Sequence, residues 1–231
     1  MGKTGIALDL ARKWQTEIIS ADSMQVYRQL SIGTAKPAPE ECGEIPCHLI
    51  DCVDIDSRYD LASFIEDADK IIHRLGRKGK RPLIAGGTGL YIKGLIEGIF
   101  RDASRDPEVR KKLRERIEKE GLDSLYAELQ NVDAEAAERI PATDKQRIQR
   151  ALEVYYITGE PITALQKKSR RSEPRYPHTL LVITRDREDI YARIEKRLDL
   201  MFEKGLVREV EKILEQGYSP DLHPLKALGY R

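Results

Sequence analysis

No stretch of this sequence approaches the ~18–20 consecutive apolar residues that a membrane-spanning helix requires, so no membrane association is expected. The start also lacks the basic-then-apolar layout of a secretory leader, and a cytoplasmic protein is expected. Neither sign of charge is in surplus: 40 Lys and Arg face 39 Asp and Glu, a net charge of +1. Any surface suited to nucleic acid must therefore be local. Cysteine is scarce. The three thiols, Cys42, Cys47 and Cys52, are an odd number in a 231-residue chain too large to need disulfide staples, which points to a reducing compartment. They sit five apart with His48 beside the second. That is not a C-x-x-C spacing, and free thiols in a loop are expected rather than zinc. Internal repeats are absent, which excludes a solenoid.

What is present suffices for a sizeable core in one or two domains: 40% of residues are hydrophobic and 34% charged. The opening "MGKTGIALDLARKW" places Ile6, Ala7, Leu10, Ala11 and Trp14 at helical spacing. "EIISAD" reads as a buried strand with Asp22 at its carboxyl end, and "HLIDCVD" as a second strand. A helix follows, capped by Asp60, with Phe64, Ala68, Ile71, Ile72 and Leu75 on one face and Gly79 past its end. "RPLIAGGTGLYIKGLIEG" is a strand, a glycine turn and a helix. Such alternation predicts a parallel sheet with helices on its faces. From Asp106 to about Gln166 the texture turns charged and helical. One helix opens at Asp106-Pro107 and stops at Gly121; another carries Ile148, Leu152, Tyr155 and Tyr156 and ends at Gly159. "KKSRRSEPRYP" is a basic linker, "HTLLVIT" a further strand, and two helices follow, from about Arg187 and over "GLVREVEKILEQG".

Several stretches carry chemistry. Gly2-Lys3-Thr4 matches the end of a phosphate-binding loop, G-x-x-x-x-G-K-[ST], but only Met1 precedes it. The triplet is equally compatible with the start of an ordinary surface helix. A strand ending in Asp22 one helix later favours the phosphate reading: Lys3 would neutralise phosphate and Thr4 hold magnesium. Asp22 could also be a simple helix cap. "GGTG" at 86–89 suits a close backbone approach or a tight turn, and does not fit a Rossmann fingerprint. Gln146, Arg147, Gln149 and Arg150 are side chains that fork onto phosphates and base edges, against the alternative of a solvated helix face. Arg185, Arg187, Arg193 and Arg197 could meet a diphosphate, Arg193 and Arg197 sharing one helix face, or could pair with Asp189 and its neighbours.

Taken together, "GKTGIALDLA", "EIISADSMQVYRQLSIGTAKP", "HLIDCVD", "PLIAGGTGLYIKGLIEG", "DKQRIQRALEVY", "RIEKRLDLMFEKGLVREV" and "LKALGYR" closely resemble the tRNA dimethylallyltransferase family, in family order and along the whole chain. The resemblance implies an α/β fold, a P-loop NTPase-like parallel-sheet core over residues 1–98 and 172–231, with a helical, tRNA-binding insertion at 99–171. It implies transfer of a dimethylallyl group from dimethylallyl diphosphate, with Mg2+, to N6 of the adenosine 3′ of the anticodon in tRNAs reading U-initial codons. The partner is then the tRNA anticodon stem-loop, and a monomer is expected. Asp22 matches the family's general base and Arg197 its arginine near the diphosphate. Gly2, Lys3 and Thr4 match diphosphate-holding loop residues, Thr4 also the magnesium ligand. Positions matching tRNA contacts are Asp22, Ser23, Met24, Gln25, Thr88, Arg110, Gln146, Arg147, Ile148, Gln149, Arg150, Lys226, Ala227, Leu228, Gly229, Tyr230 and Arg231.

The chain departs from the family pattern in three places. The family's loop runs Gly-Pro-Thr-Ala-Ser-Gly-Lys-Thr after a strand, where this sequence has only Met1, and relatives continue past Arg231. The chain is therefore expected to be part of a longer polypeptide, and poorly active as written. Cys47 stands where relatives often carry histidine, which tells against a metal role for the cysteines. A P-loop small-molecule or nucleotide kinase and a non-catalytic RNA-binding fragment are the competing readings.

Overall fold

The computed structural model describes residues 2–99, 106–169 and 173–230. They cluster into two compact units, Met1–Ile96 with Tyr176–Arg231, and Glu97–Arg175.

The first unit is built on a small parallel sheet. Helix α1 (Lys3–Trp14) leads to strand β1 (Ile18–Ser20), a short helix α2 (Pro39–Cys42) and strand β2 (Cys47–His48). Helix α3 (Leu61–Arg77), strand β3 (Leu83–Ala85) and helix α4 (Gly89–Glu97) follow. The order is β2-β1-β3, with Ile18 opposite both Cys47 and Leu83. The central strand is buried throughout, as a strand covered on both faces must be. Asp60 caps α3, its Oδ1 accepting from the amides of Ala62 (3.0 Å) and Ser63 (3.2 Å). Phe64, Ala68 and Leu75 are buried on α3, joined by Ile65, while Ile71 and Ile72 are only half-buried. Later in the chain come α10 (Arg187–Glu203) and α11 (Leu206–Glu215).

Three sequence expectations fail here. On α1 the buried residues are Ala7, Leu8 and Ala11, whereas Ile6 and Trp14 of the predicted face lie exposed. The strand expected over "HLIDCVD" shrinks to Cys47–His48, because Leu49 (φ 61°) and Asp51 (φ 54°) take left-handed conformations that no strand accommodates; only Val53 rejoins, bridging to Tyr27. "HTLLVIT" is not a strand. Leu180, Leu181 and Val182 are 60%, 67% and 76% exposed, and no described residue pairs with them. An apolar run becomes a strand only when neighbours take its amides.

At the amino end of β1, Glu17 is buried. It accepts from Arg74 Nη2 (2.9 Å), meets His48 Nε2 at 2.7 Å and faces Lys80 Nζ at 3.7 Å. Burial pushes its carboxyl pKa up, but His48, Arg74 and Lys80 more than offset this and hold it below the ordinary 4.5. A depressed carboxyl contributes stability above its unfolded pKa and loses it as pH falls through the folded value. Glu17→Gln is therefore expected to cost about 1–3 kcal/mol at neutral pH. Denaturant titrations should show the gap from the unaltered protein closing below about pH 4.5. A gap independent of pH would remove the ionic contribution.

The second unit is helical: α5 (Pro107–Glu120), α6 (Leu122–Val132), α7 (Ala134–Arg139), α8 (Lys145–Thr158) and α9 (Ile162–Ser169). Its core joins Leu113, Leu125, Leu129, Ala136, Ile148 and Leu152. Asp106 caps α5 and Gly121 ends it at φ 83°, while Gly159 closes α8 at φ 73°. Asp133 is buried; it caps α7 through Ala136 N (3.0 Å) and pins α9 through the Thr163 amide (3.0 Å) and hydroxyl (2.7 Å). Tyr156, expected on the apolar stripe, is exposed, and Ala151, Glu153 and Val154 are buried instead. Of the expected basic linker, 170–172 lie outside the described residues. No described helix is long and apolar enough to cross a membrane.

Candidate active site

The carboxyl end of β1 opens onto a cavity of about 530 Å³. Gly2, Lys3 and Thr4 line it, with Asp22, Gln25, Gly86, Gly87, Arg193 and Arg197. The local sequence explains the arrangement. Gly2 adopts φ 80°, which turns the chain into α1, and the first helical hydrogen bond runs from Ile6 N to Gly2 O (3.3 Å). The amides ahead of Ile6 have no helical acceptor and present partial positive charge at the helix start. Lys3 reaches the glycine turn: its Nζ lies 3.7 Å from where a Cβ on Gly87 would sit. Gly86 must be glycine, because a Cβ there would come within 2.1 Å of Ala21 O. That contact lets β3 and β1 end side by side, through Ala21 N to Ala85 O (2.9 Å) and Thr88 N to Ala21 O (3.1 Å).

Asp22 is half-buried. Its Oδ1 accepts from the amides of Met24 (2.9 Å) and Gln25 (3.3 Å), which orients the carboxylate; its Oδ2 takes no hydrogen bond among the described residues. Asp22 thus holds the turn after β1 and caps no helix, since residues 23–26 form a turn. Thr88 Oγ1 accepts from Ser23 N (3.0 Å) and tightens the turn after Asp22. Gln25 is committed internally, its Nε2 donating to Thr34 O (3.2 Å) and Ala35 O (3.4 Å) and its Oε1 accepting from Ser20 Oγ (3.3 Å). Met24 packs into a core with Val26 and Leu30.

The arginines divide. Arg185 Nη1 (3.0 Å) and Arg193 Nε (2.8 Å) both donate to Asp189, whose carboxyl they hold below the ordinary carboxylate range. The pairing alternative holds for these two. Arg197, one turn further along α10, has no ion-pair partner among the described residues and faces the cavity.

Sequence reasoning missed one stretch of the lining, Thr34, Ala35 and Pro37. Its one signal was the quoted run "IGTAKP", to which no role was attached. The cysteines are free, with Cys47 Sγ 3.2 Å from Cys42 Sγ; burial and that neighbour push the Cys47 thiol up to about 12, a poor metal ligand. No cluster of three His, Cys, Asp or Glu occurs among the described residues.

In the second unit, Arg110 and Arg150 converge on Glu153, which is fully buried. Arg150 Nη1 donates to Oε2 at 2.9 Å; Arg110 Nε lies 3.1 Å from Oε1 but out of line for a hydrogen bond. Gln149 Nε2 donates to Arg110 O (3.1 Å). Gln146 and Arg147 stay exposed, Arg147 beside the capping Asp144 at 3.4 Å, and Ile148 is buried in the core. At the end of the chain, Lys226 pairs with Asp221 (3.2 Å), Ala227 is half-buried, Leu228 is exposed, and Gly229 and Tyr230 pack on the turn at Gly33. Arg231 lies outside the described residues.

A parallel sheet that ends beside a helix start, a lysine, a strand-end aspartate and an arginine belongs to the P-loop-like class of α/β fold. The particular family follows from comparison. The IPP transferase family model matches residues 25–231, and the chain belongs to that family. The tRNA dimethylallyltransferase of Acetivibrio thermocellus is 47% identical over 231 residues, all of this chain and 74% of that protein. That of Thermotoga neapolitana is 42% identical with the same coverage. Among solved structures, the tRNA isopentenylpyrophosphate transferase of Bacillus halodurans is similar at 34% identity and TM-score 0.68, over 99% of this chain and 71% of that one. A eukaryotic dimethylallyltransferase acting on tRNA is similar at 28% identity and TM-score 0.81, over 96% of this chain and 55% of that one.

Proposed function

We propose that the chain transfers a dimethylallyl group from dimethylallyl diphosphate to N6 of the adenosine 3′ of the anticodon, in tRNAs reading U-initial codons. The observation that carries this is the single cavity shared by Asp22, the Lys3 end of α1 and Arg197. An exocyclic amine is a weak nucleophile, its lone pair delocalised into the ring. As the N6–C1 bond forms and the donor's C1–O bond breaks, the N6 proton passes to Asp22, whose second oxygen is available for it. Lys3, Arg197 and the α1 amides receive the departing diphosphate.

The donor set suits Mg2+. The Thr4 hydroxyl, on the same cavity, is a hard oxygen donor that would hold such an ion with few other protein ligands, which leaves Asp22 to take the proton. When bound, the ion would neutralise charge on the leaving diphosphate. The target adenosine must leave the stack of the anticodon loop to reach N6.

The test supplies labelled dimethylallyl diphosphate, Mg2+ and unmodified tRNA, with nucleoside triphosphate in a parallel reaction. Label in the tRNA is expected. Phosphorylated product from the triphosphate would favour a kinase, and tRNA retention without product a non-catalytic binder.

The grip on tRNA is assigned to the second unit's basic helix. Arg147 is the cleaner probe, because Arg150 also neutralises buried Glu153. Arg147→Ala is expected to weaken tRNA binding and to reduce the salt slope by about 1, leaving donor affinity unchanged. Arg150→Ala should in addition lower the melting temperature, since it leaves a buried carboxylate short of a partner. An unchanged salt slope in both variants would return this helix to a solvated surface.

A further inference from the structure

We infer that Glu209 is a positioning residue: with Tyr230 it clamps the turn at 31–35, and so sets the part of the cavity lining that Thr34 and Ala35 supply. The cavity's use in prenyl transfer is the reading proposed above, and this inference rests on it.

The Glu209 carboxylate on α11 accepts three successive backbone amides. Ser31 N and Ile32 N donate to Oε2 at 3.1 and 2.9 Å, and Gly33 N to Oε1 at 3.4 Å. The Tyr230 hydroxyl donates to Oε1 at 2.5 Å and accepts from Gly33 N at 3.1 Å. The fit is close: a Cβ on Gly33 would meet the Tyr230 ring at 2.6 Å, and one on Gly229 would meet Gly33 O at 2.3 Å. The turn needs holding. Ala35 sits at φ 46°, a left-handed conformation that non-glycine residues rarely adopt. It also carries function, since Thr34, Ala35 and Pro37 line the cavity. The carbonyls of Thr34 and Ala35 receive the Gln25 amide, three residues from Asp22. The chain of contacts therefore runs from Glu209 through the turn to Gln25, whose backbone N–H donates to Asp22 Oδ1 at 3.3 Å.

Only a carboxylate can serve. Both of its oxygens accept, whereas a glutamine in the same rotamer would set an N–H against backbone N–H donors. The test compares Glu209→Gln and Tyr230→Phe with Glu211→Gln, a surface control that lies outside the turn and pairs with Arg208. Amide hydrogen exchange at Ser31, Ile32 and Gly33 is expected to speed up in the first two variants, with α3 and the sheet unchanged. Turnover is expected to fall about 10–100-fold in Glu209→Gln, with tRNA affinity kept, as for a misplaced but intact site. The surface control should match the parent in both. Unchanged exchange would overturn the clamp, and faster exchange with full turnover would overturn the positioning role. The exchange arm reads the clamp without any transfer, so a failure of the proposed reaction stays distinguishable.

Discussion

Asp22→Ala is expected to leave tRNA affinity nearly intact and to cut single-turnover transfer by about 10²–10⁴-fold, the usual worth of a general base. Geometry sets this expectation. Asp22 stands at the carboxyl end of a fully buried strand, with one oxygen fixed by two amides and the other turned to no described partner. Removing the carboxylate removes the acceptor for the N6 proton while the Ser23–Thr88 hydrogen bond still holds the turn. Asp22→Asn separates the two roles: its amide can still hold the turn through its oxygen but cannot take a proton. It should keep the parent's melting temperature and lose nearly as much rate as Asp22→Ala. Transfer at the parent rate in Asp22→Asn would end the base assignment.

The second large effect is expected at the opposite end of the reaction. Lys3→Ala and Arg197→Ala should each lower transfer about 10²–10³-fold, the range for losing one preorganised donor to developing charge. Lys3 stands at the α1 start beside the glycine turn. Arg197 lines the cavity and is not paired with Asp189, whereas Arg193 donates to that carboxylate. Arg193→Ala is therefore expected to cost less than Arg197→Ala. Rates from single-turnover reactions at saturating tRNA would check the order. Equal losses at the two arginines would mean that the pair with Asp189 opens when the donor binds.

Much of this arrangement was legible in the sequence because its causes are local. Asp60 and Asp106 announce helix starts, and Gly121 and Gly159 announce helix ends. The buried run at β1 and the helix after Gly2-Lys3-Thr4 also follow from spacing. Asp22, Lys3, Thr4 and Arg197 came from motif context, and they do meet on one cavity. What stayed illegible depends on partners distant in sequence. The apolar run at 180–182 looks like a strand, yet strands exist only through pairing. "HLIDCVD" breaks at two residues whose left-handed backbone no composition signals. Tyr156 lies exposed, while Glu153 is buried between Arg150 and Arg110, the latter from another helix. Glu209, read only as part of a helix, gained its role from a turn 176–178 residues away in sequence.

The central claim is that this one cavity joins a prenyl carbon to a particular adenine nitrogen. Its most direct test is to locate the label. After transfer from labelled dimethylallyl diphosphate, the tRNA is digested to nucleosides and the modified one is identified, with a second tRNA carrying guanosine 3′ of the anticodon in place of adenosine. Label on N6 of that single adenosine, and none in the guanosine-bearing tRNA, is the expected result. Label on another nucleotide, or equal labelling of both tRNAs, would contradict the account.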